Sequence, residues 1–212
     1  DAELREQIAA MLQKDGGFAG ETASMLAAWD PYDQNKAASF FDSVWMFSIK
    51  DGFDVVLGNP PYVRQEQIKK LKPQLKEHYE CYTGTADLYV YFYERGIQLL
   101  RPGGAFSFIS SNKWFRSAYG EKLRAWLAKH TRLHQIIDFG DAPVFTAIAY
   151  PCVVILTKQE QAAGRAGNGV SPQSVRAFNW QPGPPVEQFV NIFQQQSFTL
   201  PQTSLKPDGW RL

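Results

Sequence analysis

The sequence is poor in the residues that make covalent or metal staples. Its 212 residues include two cysteines, Cys81 and Cys152, and three histidines. Two cysteines cannot build the disulfide framework of a small secreted domain. His130 and His134 stand four apart in HTRLH, but the stretch lacks the glutamate of a zinc-binding HExxH helix and a third ligand. Cys81 has no partner base in sight, which argues against a thiol nucleophile. No apolar run reaches membrane length and no signal peptide is legible. Net charge is only +1, so no global field of one sign is present, although a near-neutral sum can hide a local basic patch. No strand runs into a glycine-rich loop and then a helix. Asp15-Gly16-Gly17-Phe18-Ala19-Gly20 follows a helix, and GRAGNG (164–169) lies in a linker with no helix after it. An intracellular, cytoplasmic protein is expected, with 44% apolar content to fill a core. The chain starts and stops without punctuation and reads as a piece of something longer.

What is present alternates. Residues 2–14 set Leu4, Ile8, Met11 and Leu12 on one helical face, stopped by Gly16-Gly17. Residues 15–45 show no clear period. Phe53–Leu57 reads as a short buried strand between Gly52 and Gly58. Residues 86–100 place Leu88, Tyr91, Phe92 and Leu99 on one face, and Pro102-Gly103-Gly104 is expected to end that helix. Ala105–Ser110 is a second strand. Tyr119, Leu123, Trp126 and Leu127 mark a further amphipathic helix. Ile136–Phe139 and Cys152–Thr157 are a third and a fourth strand. This order predicts an α/β fold, a largely parallel sheet of about four strands with covering helices. The last two strands lack a long helix between them, which leaves room for one antiparallel strand. The expected division is a helical and irregular segment at 1–45, a catalytic subdomain at 46–158, and a linker into another module at 159–212, where Gly, Pro and Gln accumulate.

The stretch FDVVLGNPPYV (53–63) poses the functional question. Ligands of open α/β sheets sit beyond the carboxyl ends of the strands. There the chain puts Asn59, whose carboxamide oxygen accepts, and Pro60, whose carbonyl accepts with no N–H beside it. Two prolines hold φ and so fix these acceptors. Tyr62 adds a flat face. The set suits a planar group with an exocyclic NH₂, such as adenine. A chance NPPY is expected in roughly one chain in a thousand of this length.

NPPY after a short apolar strand resembles motif IV of the amino-methylating DNA methyltransferases. DLYVYF (87–92) followed by LLRPGG resembles their motif V, GGAFSFISSNKWF (103–115) motif VI, and IIDFGDAPVF (136–145) with YPCVVILTK (150–158) motifs VII and VIII. FFDSVWMFSIKDGFD (40–54) resembles the lead-in to motif IV, and LPQTSLKPDGWRL (200–212) the start of a specificity domain. The set is similar to the gamma-class, TaqI-like N6-adenine methyltransferases of bifunctional type II restriction–modification enzymes and phage-defence methylases. That resemblance implies the catalytic half of a Rossmann-like, S-adenosylmethionine-dependent methyltransferase. It implies a flipped adenine in double-stranded DNA, stacked by Tyr62 and Phe145, with its amino group held by Asn59 and Pro60. Asn59, Phe92 and Asp87 would lie at the cofactor, although Asp87 also suits a helix cap. Motif I and the acidic cofactor residues of the family are missing, so this chain alone is expected to bind cofactor weakly and not to turn over. The rest of the parent polypeptide would supply the cofactor half, a specificity domain and in some members a nuclease. An exposed strand where the cofactor half should pair would invite dimerisation through that edge.

Residues 63–78 carry Arg64, Lys69, Lys70, Lys72 and Lys76 against Glu66 and Glu77, a net +3. They read as a solvated face or as phosphate contacts beside the base, a role open also to Lys113, Trp114 and Arg116. The NPPY turn serves cytosine-N4, RNA-base and protein-glutamine methylation too, and a non-catalytic DNA-binding fragment is the remaining alternative.

Overall fold

A computed structural model describes residues 2–17, 19–28, 42–146, 149–160 and 174–212. GRAGNG, Phe40 and Phe41 lie outside the described residues. Two compact units divide the chain, residues 1–50 and 51–212.

The first unit holds α1 (Ala2–Lys14), α2 (Gly20–Ala28) and α3 (Ser43–Phe47). Gly17, at φ +66°, takes the left-handed turn after α1. Arg5 then donates to the Ala27 carbonyl at 3.0 Å, tying α1 to α2. Ala23, Leu26 and Ala27 are buried. Ile8 and Leu12 are half-buried, whereas Leu4 and Met11 of the expected apolar face stay mostly exposed.

The second unit is a six-stranded sheet in the order β1-β2-β4-β3-β5-β6. Its strands are β1 (Phe53–Gly58), β2 (Leu100–Ser111), β3 (Thr131–Asp138), β4 (Pro151–Lys158), β5 (Ser174–Asn179) and β6 (Phe198–Pro201). β1 runs parallel to β2, and β3 parallel to β5. β4 inserts antiparallel to both neighbours, and β6 closes the far edge antiparallel to β5. The connections are α4 (Lys72–His78), α5 (Tyr89–Gln98), α6 (Glu121–His130) and α7 (Phe189–Gln196).

The main core lies on the face where Phe106, Phe108, Val154 and Leu156 point towards Tyr93, Ile97, Leu123 and Leu127. Burying each such side chain is worth about 1.5–3 kcal/mol. β1 reaches this core closely because α5 carries Gly96, where a Cβ would stand 2.8 Å from the Phe106 ring and 3.3 Å from Val56.

Several expectations change. The sheet has six strands rather than about four, because residues 174–212 do not lead away. Val175, Ala177 and Phe178 of β5 are fully buried, and Leu205 and Trp210 seat in the same core as Trp114. β1 is an edge rather than a buried strand: it has one neighbour, and Val55 and Leu57 are 53% and 73% exposed. α5 ends at Gln98, and Pro102–Gly104 lies within β2. Gly104 is needed there for contact with β1, since a Cβ would meet the Phe53 carbonyl at 2.9 Å.

Gly96→Ala tests this packing. Alanine gains roughly 1 kcal/mol of helix propensity, but overpacking a filled core costs about 1–3 kcal/mol. Because Phe106 is fully buried and has no room to turn away, chemical denaturation of the variant should show a net loss.

Candidate active site

The NPPY turn leaves the sheet at Gly58. A Cβ on Gly58 would stand 2.7 Å from the Phe108 ring, so glycine lets the chain turn directly over that side chain. Pro60 is buried and Asn59 exposed. Among the described residues no hydrogen bond reaches the Asn59 carboxamide or the Pro60 carbonyl. Both acceptors are therefore unclaimed.

The turn is strapped to the start of α5. Leu88 N–H donates to the Val63 carbonyl at 2.9 Å. Asp87 Oδ1 accepts from Gln65 N–H at 3.0 Å. Lys72 Nζ donates to Gln65 Oε1 at 2.6 Å and to the Gly84 carbonyl at 2.8 Å. Two residues singled out in the sequence thus have partners within the chain. Asp87 makes no side-chain cap on α5 and instead holds the loop. Lys72 spends its ammonium on loop closure, while Lys69, Lys70 and Arg64 remain exposed.

Tyr62 and Phe145 come together although 83 positions separate them in the chain. Their ring centroids lie 6.3 Å apart, edge to face at 68°. Tyr62 also stands 6.5 Å from Tyr89. Beside them opens a cleft of about 220 Å³, lined by Tyr62, Arg64, Asp87 and Tyr89, with Ser111, Lys113 and Ala149 opposite. This is below the roughly 300–1,000 Å³ of ordinary ligand pockets and suits one planar ring system. A neighbouring hollow of about 150 Å³ includes Phe145, Asp141 and Tyr150 and shares Ala149. Phe92 is 41% exposed, off the buried face where the helical period had placed it.

Sequence reasoning missed three supports. Asp138 Oδ1 accepts from Asn112 Nδ2 at 2.7 Å and from Gly140 N–H at 2.9 Å, joining the loop after β2 to the loop that carries Phe145. Tyr89 forms a cleft wall, and its hydroxyl pairs with that of Tyr119 at 2.6 Å. Phe139 packs on Trp180 and Phe189, so the β5–α7 segment underpins the Phe145 loop. Only the DFGD stretch hinted at the first.

Burial, helped by Cys152, pushes the Tyr62 phenol up to about 12. Burial does the same to Tyr91, up to about 12, and raises Tyr89 and Tyr93 further. Tyr62 thus presents a neutral ring across the physiological range. Cys81 and Cys152 are likewise pushed up by burial, which keeps both thiols protonated and poor nucleophiles. His130 stacks on Trp126 with centroids 4.5 Å apart, and His134 Nε2 lies 3.0 Å from Thr157 Oγ1. Among the described residues no three His, Cys, Asp or Glu side chains group as metal ligands, and no helix is long and apolar enough to cross a membrane.

Comparison with known proteins gives a consistent neighbourhood. The family model of the Eco57I restriction-modification methylase matches residues 6–145. The type II methyltransferase M.PaeR7I of Pseudomonas aeruginosa is 37% identical over 116 residues, which cover 53% of this chain and 20% of that protein. The type II restriction enzyme and methyltransferase RM.Eco57I of Escherichia coli is 34% identical over 112 residues, covering 50% and 11% respectively. The chain therefore spans about a fifth or less of these relatives. Among solved structures, the type I restriction-modification system methyltransferase subunit from Streptococcus thermophilus superposes with a TM-score of 0.50 at 16% identity, covering 77% of this chain and 38% of that one. The fold is thus that of the Rossmann-like methyltransferases.

Raised tyrosine pKa values set an alkaline limit. The unfolded chain ionises its tyrosines near pH 10, whereas the folded chain holds Tyr62 and Tyr91 protonated until about 12. Stability should be fully present below about pH 10 and be lost as pH rises from there through about 12. Thermal melts followed with tyrosinate absorbance should show ionisation and unfolding together. Tyrosinate that develops fully near pH 10 in the folded chain would contradict the burial argument.

Proposed function

Because the chain belongs to the Eco57I restriction-modification methylase family, we propose that it is the base-binding part of a DNA methyltransferase that modifies the N6 amino group of a flipped adenine in a restriction–modification or phage-defence system. The observation that carries this reading is the unclaimed Asn59 carboxamide and Pro60 carbonyl, at the carboxyl end of β1 in the same turn as Tyr62, whose ring meets that of Phe145.

An amino nitrogen conjugated to a purine ring is a poor nucleophile, because its lone pair is delocalised. Asn59 Oδ1 and the Pro60 carbonyl each accept a hydrogen bond from the amino group. They favour a pyramidal nitrogen and so return lone-pair density to it, with no covalent intermediate and no charged side chain. Extruding the base from the duplex costs a few kcal/mol. Stacking on Tyr62 and Phe145 offsets this, at about 1–3 kcal/mol per base. Arg64 and Lys113 at the cleft, with Lys69 and Lys70 nearby in sequence, supply phosphate contacts that position the strand without reading it. S-adenosylmethionine, when bound, supplies the electrophilic methyl group. Asn59 and the exposed Phe92 are the residues of this chain that would hold it, while Asp87 acts on the loop. The open edge of β1, with Val55 and Leu57 uncovered, is the surface on which a cofactor-binding half would add its strands.

The test is methyl transfer from labelled S-adenosylmethionine to unmethylated duplex by the protein that contains this chain, with the product nucleoside identified by mass spectrometry. N6-methyladenine is expected. N4-methylcytosine, or label in RNA or protein, would keep the amino-acceptor chemistry and change the substrate. Asn59→Ala should lower turnover by about 10²–10³-fold, the scale of one lost transition-state hydrogen bond, with duplex affinity changed only a few-fold. Turnover equal to wild type would remove Asn59 from the chemistry. Tyr62→Ala should weaken capture of an extruded 2-aminopurine by roughly 1–3 kcal/mol, and an unchanged fluorescence titration would count against stacking.

A further inference from the structure

Arg124 is a guanidinium with 1% of its surface exposed. No carboxylate lies within ion-pair distance among the described residues. Burial lowers its pKa, yet the group stays cationic because an arginine starts so high. All of its partners are backbone carbonyls. Nη1 donates to Trp114, and to Ser117 at 3.1 Å. Nε donates to Pro207 at 2.7 Å. The first two carbonyls belong to the loop after β2, and the third to a segment more than eighty residues later.

A second set of contacts joins the same two segments. Trp210 N–H donates to the Phe115 carbonyl at 2.8 Å. Its ring packs 4.8 Å from Trp114 and 5.6 Å from Phe115. Gly120 is required for the approach, since a Cβ there would overlap the Trp114 carbonyl oxygen and fall 2.6 Å from Arg124 Nη1. The loop so fixed carries Lys113 at the mouth of the cleft. It also carries Tyr119, whose hydroxyl pairs with the cleft wall Tyr89.

We propose that Arg124 is a positioning residue, and that with the Pro207–Trp210 segment it clamps the loop at 112–120 so that Lys113 and the Tyr119–Tyr89 pair stand ready at the cleft. Arg124 touches no substrate. It acts through backbone carbonyls, of which Trp114 and Pro207 have it as their partner while Ser117 also accepts from Gly120 N–H at 3.1 Å, and the clamp makes the segment after β6 part of the base-binding machinery. The DNA-facing half of this inference rests on the function proposed above.

Hydrogen exchange on the whole chain, read by mass spectrometry and by NMR, tests the clamp without DNA. Arg124→Lys replaces a fork of donors by one point donor that cannot serve three separated carbonyls. Exchange at Arg116, Ser117, Gly120 and Trp210 should then speed up together by about tenfold, with the β2–β4 ladder unchanged. Should Arg124→Lys fail to fold, Trp210→Phe keeps the backbone donor, loosens only the ring contact, and should speed the same four amides. No change at these amides, or faster exchange spread evenly over the sheet, overturns the clamp. A salt titration of duplex binding by the same chain reads the second half. Lys113→Ala should lower the slope of log K against log salt by about 0.9, the value of one phosphate contact. Arg124→Lys should lower it by part of that, and adding it to Lys113→Ala should lower it no further. An Arg124→Lys loss that adds in full to that of Lys113→Ala overturns positioning through Lys113. Wild-type chain that gives no salt-dependent DNA binding refutes the DNA reading, while the exchange data still decide the clamp.

Discussion

The place of Asn59 depends on how closely β1 lies against β2 and α5. Three positions without a Cβ make that approach: Gly58 over the Phe108 ring, Gly96 over Phe106, and Gly104 against the Phe53 carbonyl. With β1 pressed in, its last residue opens directly above the core, and the next four residues have little freedom left. Two prolines remove most of what remains. The path of the backbone into the turn is thus set by the packing of aromatic rings beneath it, and the turn sequence alone would not fix where it stands.

Several charged side chains in this unit serve backbone groups. Asp87 holds Gln65 N–H, Asp138 holds Gly140 N–H, and Glu94, buried, accepts from Glu80 and Cys81 N–H at 3.0 and 2.8 Å. Arg124 and Lys72 do the same for carbonyls. A loop at the end of a sheet has many orphan donors and acceptors, and burying them unpaired is costly. A long side chain reaching in from a helix or strand supplies the missing partner and fixes the loop at once. The Arg101–Asp54 ion pair, by contrast, is exposed at both ends and adds little.

Much of this could be read in the residues. β1, β2 and β4 announced themselves by runs of β-branched and aromatic residues, and α1 and α6 by period. Tyr62 and Phe145 were singled out, and their rings lie 6.3 Å apart. The failures have physical causes. β5 is only Ser-Val-Arg-Ala-Phe-Asn between stretches rich in Gly, Pro and Gln, so local composition masked a strand whose order comes from pairing with β3. Phe92 lies on the apolar side by period, but a single sheet face beneath α5 cannot cover the whole of that side. The backbone partners of Asp87 and Lys72 could not be read, because they lie 22 and 12 residues away. Side chain to backbone bonds at such distances leave no pattern in composition or period.

The edge-on contact between Tyr62 and Phe145 bears on selectivity. With no guest the two rings shield each other, a contact worth about 0.5–1.5 kcal/mol. The base proposed to bind here would first have to part them, and it would recover that loss only by covering both faces. A small or narrow ring touches one face, leaves the other wet, and gains almost nothing. In the base-binding role proposed above, the pair would thus act as a threshold on guest area, set before any hydrogen bond is read.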